Sequence, residues 1–459
     1  MADSWAHQEF AGCQVPDNRF VSSVVSIASN LARNSEVSFS QAVGHGGRQS
    51  ANRMFRNKKT NTDGLLAGHY EQTAARCAQH DLVLLAQDTT FVNLSTHKST
   101  TGLGPVGTTA GLLGLVAHSV LAVSTEGQPL GLLDVDIFAR DPKSEESPNT
   151  KRTRSADQKE SRKWADGLKS AQSRLPVAQH ALVVCDREAD VFSFLATPRR
   201  KNIDLLVRAC QPRIVEVVSD DGTCRTDLRT AAGQAPQVAT MQVVVPSKPG
   251  RAERVAELTL RSTRLLAHPP VSGKREPDSR PINLTVIEAL ETNAEGVTCP
   301  IHWILITTKE LTTATDYCQM VTYYSKRWVI ERLHYTLKSG CRVERLQIDD
   351  AEAFKNALSV YYVVAWRLMW LTYIARTEPD RPAAEVLEAT EIAVLEAVTE
   401  KPIRTVALAV LAIAALGGYE YYKAAPPPGP KTLWLGIRKL DNMVLGWNLA
   451  RRPKDASQD

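Results

Sequence analysis

Leu82-Val83-Leu84-Leu85-Ala86-Gln87-Asp88 and Ala181-Leu182-Val183-Val184-Cys185-Asp186 are two short apolar runs, each closed by an aspartate. Runs of this length, rich in Leu and Val and bounded by turn residues, read as buried strands. Further runs at Val116 to Val123, Leu130 to Phe138, Ile203 to Val207 and Trp303 to Thr308 read the same way. Between them stand a polar segment from Asp141 to Lys163, a helix from about Lys159 to Ser173 and a short one from Asp190 to Ala196. Strands mixed with helices predict an α/β core. In such sheets, acids at the carboxyl ends of strands project into the crevice where ligands bind. Taken singly, Asp88 and Asp186 read first as turn or helix-capping residues. As a pair they point to a site.

On either side of this core the texture changes. Asp17 to Thr73 reads as short helices, with Val21, Val24, Val25, Ala28 and Leu31 at helical spacing and Gly44-His45-Gly46-Gly47 as a break. Arg48, Arg53, Arg56, Lys58 and Lys59 follow with no acid among them. A solvated helix face accounts for such a run, and so does a small domain that neutralises DNA phosphates. Residues from about Gln211 to Pro300 read as a mostly β insertion, basic through Lys248, Arg251, Arg254, Arg261, Arg264, Lys274 and Arg275. The C-terminal part is helical and locally acidic, and Pro426-Pro427-Pro428 precedes an amphipathic stretch, Leu433 to Leu449. The domain reading is a helical N-terminal unit over 1–73, a catalytic unit over 74–375 with its insertion near 211–300, and a helical C-terminal unit over 376–459.

Composition sets the outer limits. The 459 residues include 55 Lys or Arg and 50 Asp or Glu, a net charge of +5, and 43% are hydrophobic. That is an ordinary globular composition and excludes a disordered or collagen-like chain. The eight cysteines show no CxxC pair and no zinc spacing, so they read as reduced structural thiols. MADSWAHQEF lacks the basic and apolar regions of a signal peptide, so none is expected. The most apolar windows, Ala357 to Ala375, interrupted by Arg367, and the shorter Val406 to Leu416, read as buried helices rather than membrane spans.

A third acid comes from a long helix expected over roughly Thr313 to Lys338. Tyr324, Arg327, Glu331 and Lys338 are spaced by three, four and seven residues. At about 100° per residue they share an arc of roughly 60°, while Val329, Ile330, Leu333 and Leu337 take the opposite side. The plain reading is a solvated face tied by the i,i+4 pair of Arg327 and Glu331. If that face turns toward Asp88 and Asp186, three carboxylates meet beside two cations. Hard divalent ions take oxygen ligands of this kind, and a two-metal pair activates water or a 3′-hydroxyl in phosphodiester displacement. Arg327 and Lys338 would hold phosphate oxygens, with Tyr324 donating a further hydrogen bond.

At these residues the chain resembles the bacterial insertion-sequence transposases of the IS-four family, in its transposon-five-like branch, through the Y-(2)-R-(3)-E-(6)-K signature. The resemblance runs on through Ala86 to Thr90, His118-Ser119-Val120, Lys159 to Trp164, Cys185-Asp186-Arg187-Glu188-Ala189-Asp190, Val363 to Arg367, Leu416-Gly417-Gly418 and Gly429 to Trp434. It implies a ribonuclease H-like core in which Asp88, Asp186 and Glu331 form a DDE triad holding two Mg²⁺, or Mn²⁺ in their place. It sets Arg187 and Arg208 along the DNA cleft, beside the phosphate-holding Tyr324, Arg327 and Lys338, and Arg19 in the N-terminal stretch where relatives carry basic residues; the run Arg48, Arg53, Arg56, Lys58 and Lys59 is offered as a DNA contact by its charge. Trp303 matches the tryptophan that stacks on a flipped base in hairpin-forming relatives, and a core tryptophan is the other reading.

The function so implied is a cut-and-paste DNA transposase. A homodimer binds double-stranded transposon ends, cleaves them through hairpin intermediates and joins the 3′ ends to target DNA. The expected location is the bacterial cytoplasm, on the nucleoid, with no membrane partner. A catalytically silent DNA-binding regulator or domesticated relative is the alternative, and a metal-dependent nuclease without strand transfer is a third. Three departures from the family bear on the choice. Phe20 stands where a second basic residue is usual, Cys210 follows Arg208 where some relatives have a basic residue, and Ala412 to Ala415 is apolar where relatives often carry an arginine.

Overall fold

The structure is a computed structural model and describes residues 4–33, 39–107, 109, 111–141, 159–219, 222–245, 252–270, 280–422 and 427–451. The polar stretch 142–158, the insertion's Lys248, Arg251, Lys274 and Arg275, and Pro426 lie outside them. The chain opens with helices α1 (Trp5–Phe10), α2 (Arg19–Arg33), α3 (Phe39–Phe55) and α4 (Thr62–Cys77). The expected glycine break falls inside α3, where Gly44 adopts φ 67°, a left-handed conformation that favours a residue without Cβ. Asn61 caps α4 by accepting the Gly64 N–H at 2.8 Å.

Strands β1 (Leu82–Asn93), β2 (Gly104–Pro105), β3 (Leu113–Ser124) and β4 (Pro129–Phe138) come next, then α5 (Arg162–Arg174), β5 (His180–Cys185), α6 (Phe192–Leu195) and β6 (Ile203–Arg208). The antiparallel meander β1, β3, β4 is joined on its other side by parallel β5 and β6, giving the order β4-β3-β1-β5-β6. Both faces of this sheet are covered, which explains why its strands read as continuous apolar runs instead of alternating ones. Leu84, Ala86, Leu182 and Val184 face one cluster, while Val83, Leu85, Val183 and Cys185 face another that contains Trp164, Leu168 and Phe194.

The segment expected to be β-rich supplies β7 (Ile214–Ser219), β8 (Gly222–Asp227), α7 (Leu228–Gln234), β9 (Gln237–Val245), β10 (Arg254–Ala267) and β11 (Ile282–Glu291). It does not stand apart. With β12 (His302–Thr307) it continues the same twelve-stranded sheet as β6-β12-β11-β10-β7-β8, with β9 also on β10.

The long helix expected up to Lys338 is broken into α8 (Ala314–Lys326), α9 (Trp328–Tyr335) and a π turn over Thr336–Gly340. The break lies at the signature itself. Arg327 N–H donates to Tyr324 and Ile330 N–H to Arg327 across three residues, both at 3.1 Å, so the winding tightens there. It then loosens, with Cys341 N–H donating to Thr336 across five residues at 2.9 Å. Trp434 packs directly on this turn at Gly340, where a Cβ would lie 1.6 Å from one of its ring carbons. A regular periodicity could not register either change of pitch.

The remaining helices are α10 (Ala351–Thr377), α11 (Ala389–Thr399), α12 (Val406–Leu416) and α13 (Pro430–Ala450). By length and composition α10 could cross a membrane, but 94% of its apolar window is buried inside the fold. It forms the spine against which α2, α3, α4 and β4 pack, so the N-terminal helices share one apolar cluster with the sheet. A buried ionic group reinforces this join. Glu9 of α1 accepts from His69 Nδ1 at 2.6 Å and from Arg76 Nη1 at 2.7 Å, and His69 Nε2 accepts the Leu132 N–H of β4 at 3.0 Å. The Arg76 guanidinium also lies 4.5 Å from the Trp366 ring of α10.

Candidate active site

Register explains the meeting of the first two acids. Strands β1 and β5 run parallel with Ala86 opposite Val184 and Gln87 opposite Cys185. One further step sets Asp88 beside Asp186, on the face that carries Leu84, Ala86, Leu182 and Val184. That face is covered by Ile330 and Leu333 of α9 and by Leu337 of the following π turn, all fully buried. Packing of the apolar side of α9 therefore turns Glu331 toward the Asp88 side of this face. Asp186 is also a capping residue, as read singly, since its carboxylate accepts the Glu188 N–H at 2.8 Å.

Arg327 lies between the acids. Its Nη2 is 2.5 Å from Glu331 Oε1 and its Nη1 is 4.0 Å from Asp88 Oδ2. The expected i,i+4 ion pair is thus present, and the same guanidinium also faces Asp88. The three carboxyls are set differently. Burial opposes ionisation of Asp88, yet His334, Arg327 and the Thr89 N–H outweigh it and hold its pKa below the usual value. Burial raises Asp186, with the charge of Asp88 adding to the rise. Burial also raises Glu331, which Arg327 only partly offsets. Among the described residues no group of three or more His, Cys, Asp or Glu side chains stands ready to enclose a metal ion. Carboxylate oxygens are nevertheless the donors a hard cation takes, and Arg327 supplies the positive charge between Asp88 and Glu331.

The other members of the signature are distributed by the broken helix. Tyr324 was expected on the solvated face, but it is only 6% exposed, and its ring lies edge-on to Trp303 with centroids 5.1 Å apart. Trp303 is half-buried there on β12. Lys338 reaches back from the π turn to donate to the Phe91 carbonyl of β1 at 3.4 Å.

Next to Asp186 opens a basic pocket lined by Arg187, Arg208, Cys210, Gln211, Arg229 and His302. Asp190 builds its wall. Its Oδ2 accepts the N–H groups of Cys210 and Gln211, both at 2.7 Å, and its Oδ1 pairs with buried Arg213. Arg229 went unremarked in the sequence because α7 lies in a segment read only as β.

His334 was missed as well. It sits three residues after Glu331, 3.6 Å from Asp88 Oδ2 through Nδ1 and 2.9 Å from Ser119 Oγ through Nε2. The available signals were the Glu-x-x-His spacing and the His118-Ser119 motif. His118 itself turns to the other face, donating or accepting at Thr89 Oγ1 and Gln87 Oε1 and packing on Trp164.

The N-terminal cations lie apart from this crevice. Arg48, Arg53, Lys58 and Lys59 are exposed on and just after α3. Arg56 pairs with Asp349, in the segment that follows the π turn. Arg19 is fully exposed and pairs with Asp17 at 2.7 Å.

Comparison with known proteins bears on the same crevice. Residues 147–366 match the family model described as Transposase DDE domain. The match takes in Asp186, Arg187, Arg208, Trp303, Tyr324, Arg327, Glu331 and Lys338, while Asp88 lies upstream of it. It supports a DDE transposase. Among solved structures, the chain is similar to one described as the cryo-EM structure of the piggyBac transposase synaptic complex with hairpin DNA. Identity there is 7%, coverage is 94% of this chain and 72% of that one, and the TM-score is 0.34, too distant to carry an argument.

Proposed function

We propose that this chain is a metal-dependent DDE transposase, which cleaves DNA strands at transposon ends and joins the 3′ ends to target DNA. The observation that carries the reading is Asp88 of β1 and Asp186 just after β5, set side by side by the parallel register of the two strands, with Glu331 of α9 linked to Asp88 through Arg327. The strand order β4-β3-β1-β5-β6 supports a ribonuclease H-like core. The match to transposase DDE domains supports the chemistry, and that family generally uses divalent metal ions. The signature spacing supports the IS-four, transposon-five-like branch.

Asp88, Asp186 and Glu331 would hold the ions, Mg²⁺ or Mn²⁺. When bound, such ions lower the pKa of water or a 3′-hydroxyl and stabilise the leaving oxygen. The protein's own groups do the rest. Arg327, beside Glu331 and Asp88, is placed to hold the scissile phosphate through paired N–H donors. Lys338 sits beyond Glu331 on the same side, beside β1. Arg187, Arg208 and Arg229 offer a second cationic surface beside Asp186 for the next phosphates of the strand. Trp303, edge-on to Tyr324, is the aromatic surface available to an extruded base, and it supports a hairpin route. A homodimer joined through the C-terminal helices fits the exposed Met443, Leu445 and Leu449 of α13.

Strand cleavage of end-containing duplex DNA with Mg²⁺ tests the proposal. The native chain should cut, and Glu331→Gln should bind DNA without cutting. Equal cleavage by both would refute the site, and binding without cleavage by the native chain would favour a silent regulator.

A further inference from the structure

Asp88 and Ser119 are direct cross-strand partners of β1 and β3. His334 enters above this pair from α9, close to one helical turn after Glu331, and touches both. Its Nε2 is 2.9 Å from Ser119 Oγ and its Nδ1 is 3.6 Å from Asp88 Oδ2. The imidazole is 5% exposed, and Tyr362 packs edge-on against it with centroids 6.4 Å apart. Ionised Asp88 offers only acceptors, so the nitrogen facing it carries the proton, which leaves Nε2 to accept the Ser119 hydroxyl hydrogen. The other oxygen of Asp88 already accepts the Thr89 N–H at 2.9 Å.

We infer that His334, oriented by Ser119, is a positioning residue that fixes the carboxylate of Asp88 for its cation. The inference rests on the proposed function and extends it to two residues outside both the acid triad and the four-residue signature. Asp88 is held at one oxygen by the Thr89 N–H and faced at the other by His334 Nδ1. Its hold on Thr89 sets the carboxylate plane near the strand, and His334 stops the outer oxygen from rotating toward Arg327, 4.0 Å away. A small ring rotation brings Nδ1 into hydrogen-bond range, a tightening common when an open site takes up its ligands. Ser119 supplies the restraint that prevents the imidazole from turning its wrong nitrogen to the acid. Partners of this kind behind a metal ligand affect affinity because they spare the site the cost of ordering the ligand.

The test uses the full chain and the variants His334→Ala, His334→Gln, Ser119→Ala and the Ser119→Ala/His334→Ala pair. Two quantities are measured: Mn²⁺ binding without DNA, by calorimetry or electron paramagnetic resonance, and the Mg²⁺ concentration giving half-maximal strand cleavage. His334→Ala should weaken Mn²⁺ binding roughly 10- to 100-fold. His334→Gln, whose amide N–H can reach the acid, should recover most of that loss. Ser119→Ala should fall between, and the double variant should bind no more weakly than His334→Ala. If His334→Ala fails to fold by thermal melting, His334→Gln and Ser119→Ala carry the test, with Ser119→Ala weakening Mn²⁺ binding and His334→Gln staying near native. Native-like Mn²⁺ binding by every folded variant, or full additivity in the double variant, would overturn this inference alone. A native chain that neither binds Mn²⁺ nor cleaves DNA would overturn the proposed function and this inference with it.

Discussion

Replacing Glu9 by Gln tests how firmly the N-terminal helices are joined to the sheet. Burial alone would raise the Glu9 pKa, but the hydrogen bonds and charges of His69 and Arg76 outweigh it and lower the value from 4.5 to about 2. At 1.36 kcal/mol per pH unit, that difference corresponds to about 3 kcal/mol of stability. The folded pKa is below the unfolded one, so this contribution is complete above about pH 4.5 and is lost as pH falls toward about 2. Glu9→Gln keeps the volume and removes the titration, leaving Arg76 without its anion. At neutral pH it should cost about 3 kcal/mol, the low end of what breaking a buried pair costs. The Leu132 amide, which donates to His69, is a local reporter, and its hydrogen exchange gives the opening free energy of this join. The difference between native and variant should shrink steadily between about pH 4.5 and about pH 2. A difference that stays constant over that range would refute the argument, because it would show that packing and not the charge of Glu9 makes the join.

Two further outcomes follow from the site. Gly340→Ala drives a Cβ into the Trp434 ring and should destabilise the chain by about 1–3 kcal/mol, with cleavage lost through displacement of Lys338; part of the loss should return in Gly340→Ala/Trp434→Leu, as read by thermal melting. Arg208→Ala and Arg229→Ala should each weaken duplex binding irrespective of sequence and lower the slope of log affinity against log salt by about 0.9, measured by fluorescence anisotropy across a salt series. An unchanged slope would remove that pocket from the DNA path.

Asp88 and Asp186 were legible because a buried parallel strand needs an unbroken apolar run and each run ends at the acid; that β1 itself continues past Asp88 to Asn93 was not, since its far half pairs only with β3. Glu331 was legible because α9 needs an apolar stripe at Val329, Ile330, Leu333 and Leu337, which fixes the opposite face. The pitch changes at Arg327 and over Thr336–Gly340 were not legible, since a residue count carries a regular pitch through both, and Trp434, which packs on the second at Gly340, lies nearly a hundred residues away in sequence. Tyr324 was misplaced for the same reason: it shares a helical face with Arg327 by counting, but Trp303 on β12 covers it. His334 was hidden by its own burial, because a histidine beside Leu333 reads as part of the apolar stripe until Ser119 and Asp88 are seen across the sheet. Asp190 was quoted within a motif without a role, and only the return of residues 210–213 to its carboxylate supplies one.

The way the sheet passes through the inserted strands has a topological meaning. The chain leaves the core strands after β6, builds the far half of the sheet and returns beside β6 as β12, and these two are antiparallel neighbours with Leu305 opposite Arg208. Antiparallel neighbours are the pair that a tight hairpin can join. Everything from β7 to β11 is therefore, in connectivity, the loop of one hairpin grown to the size of a subdomain. A cassette of that kind can be lengthened, exchanged or cut back to a turn without rethreading the strands that carry Asp88 and Asp186.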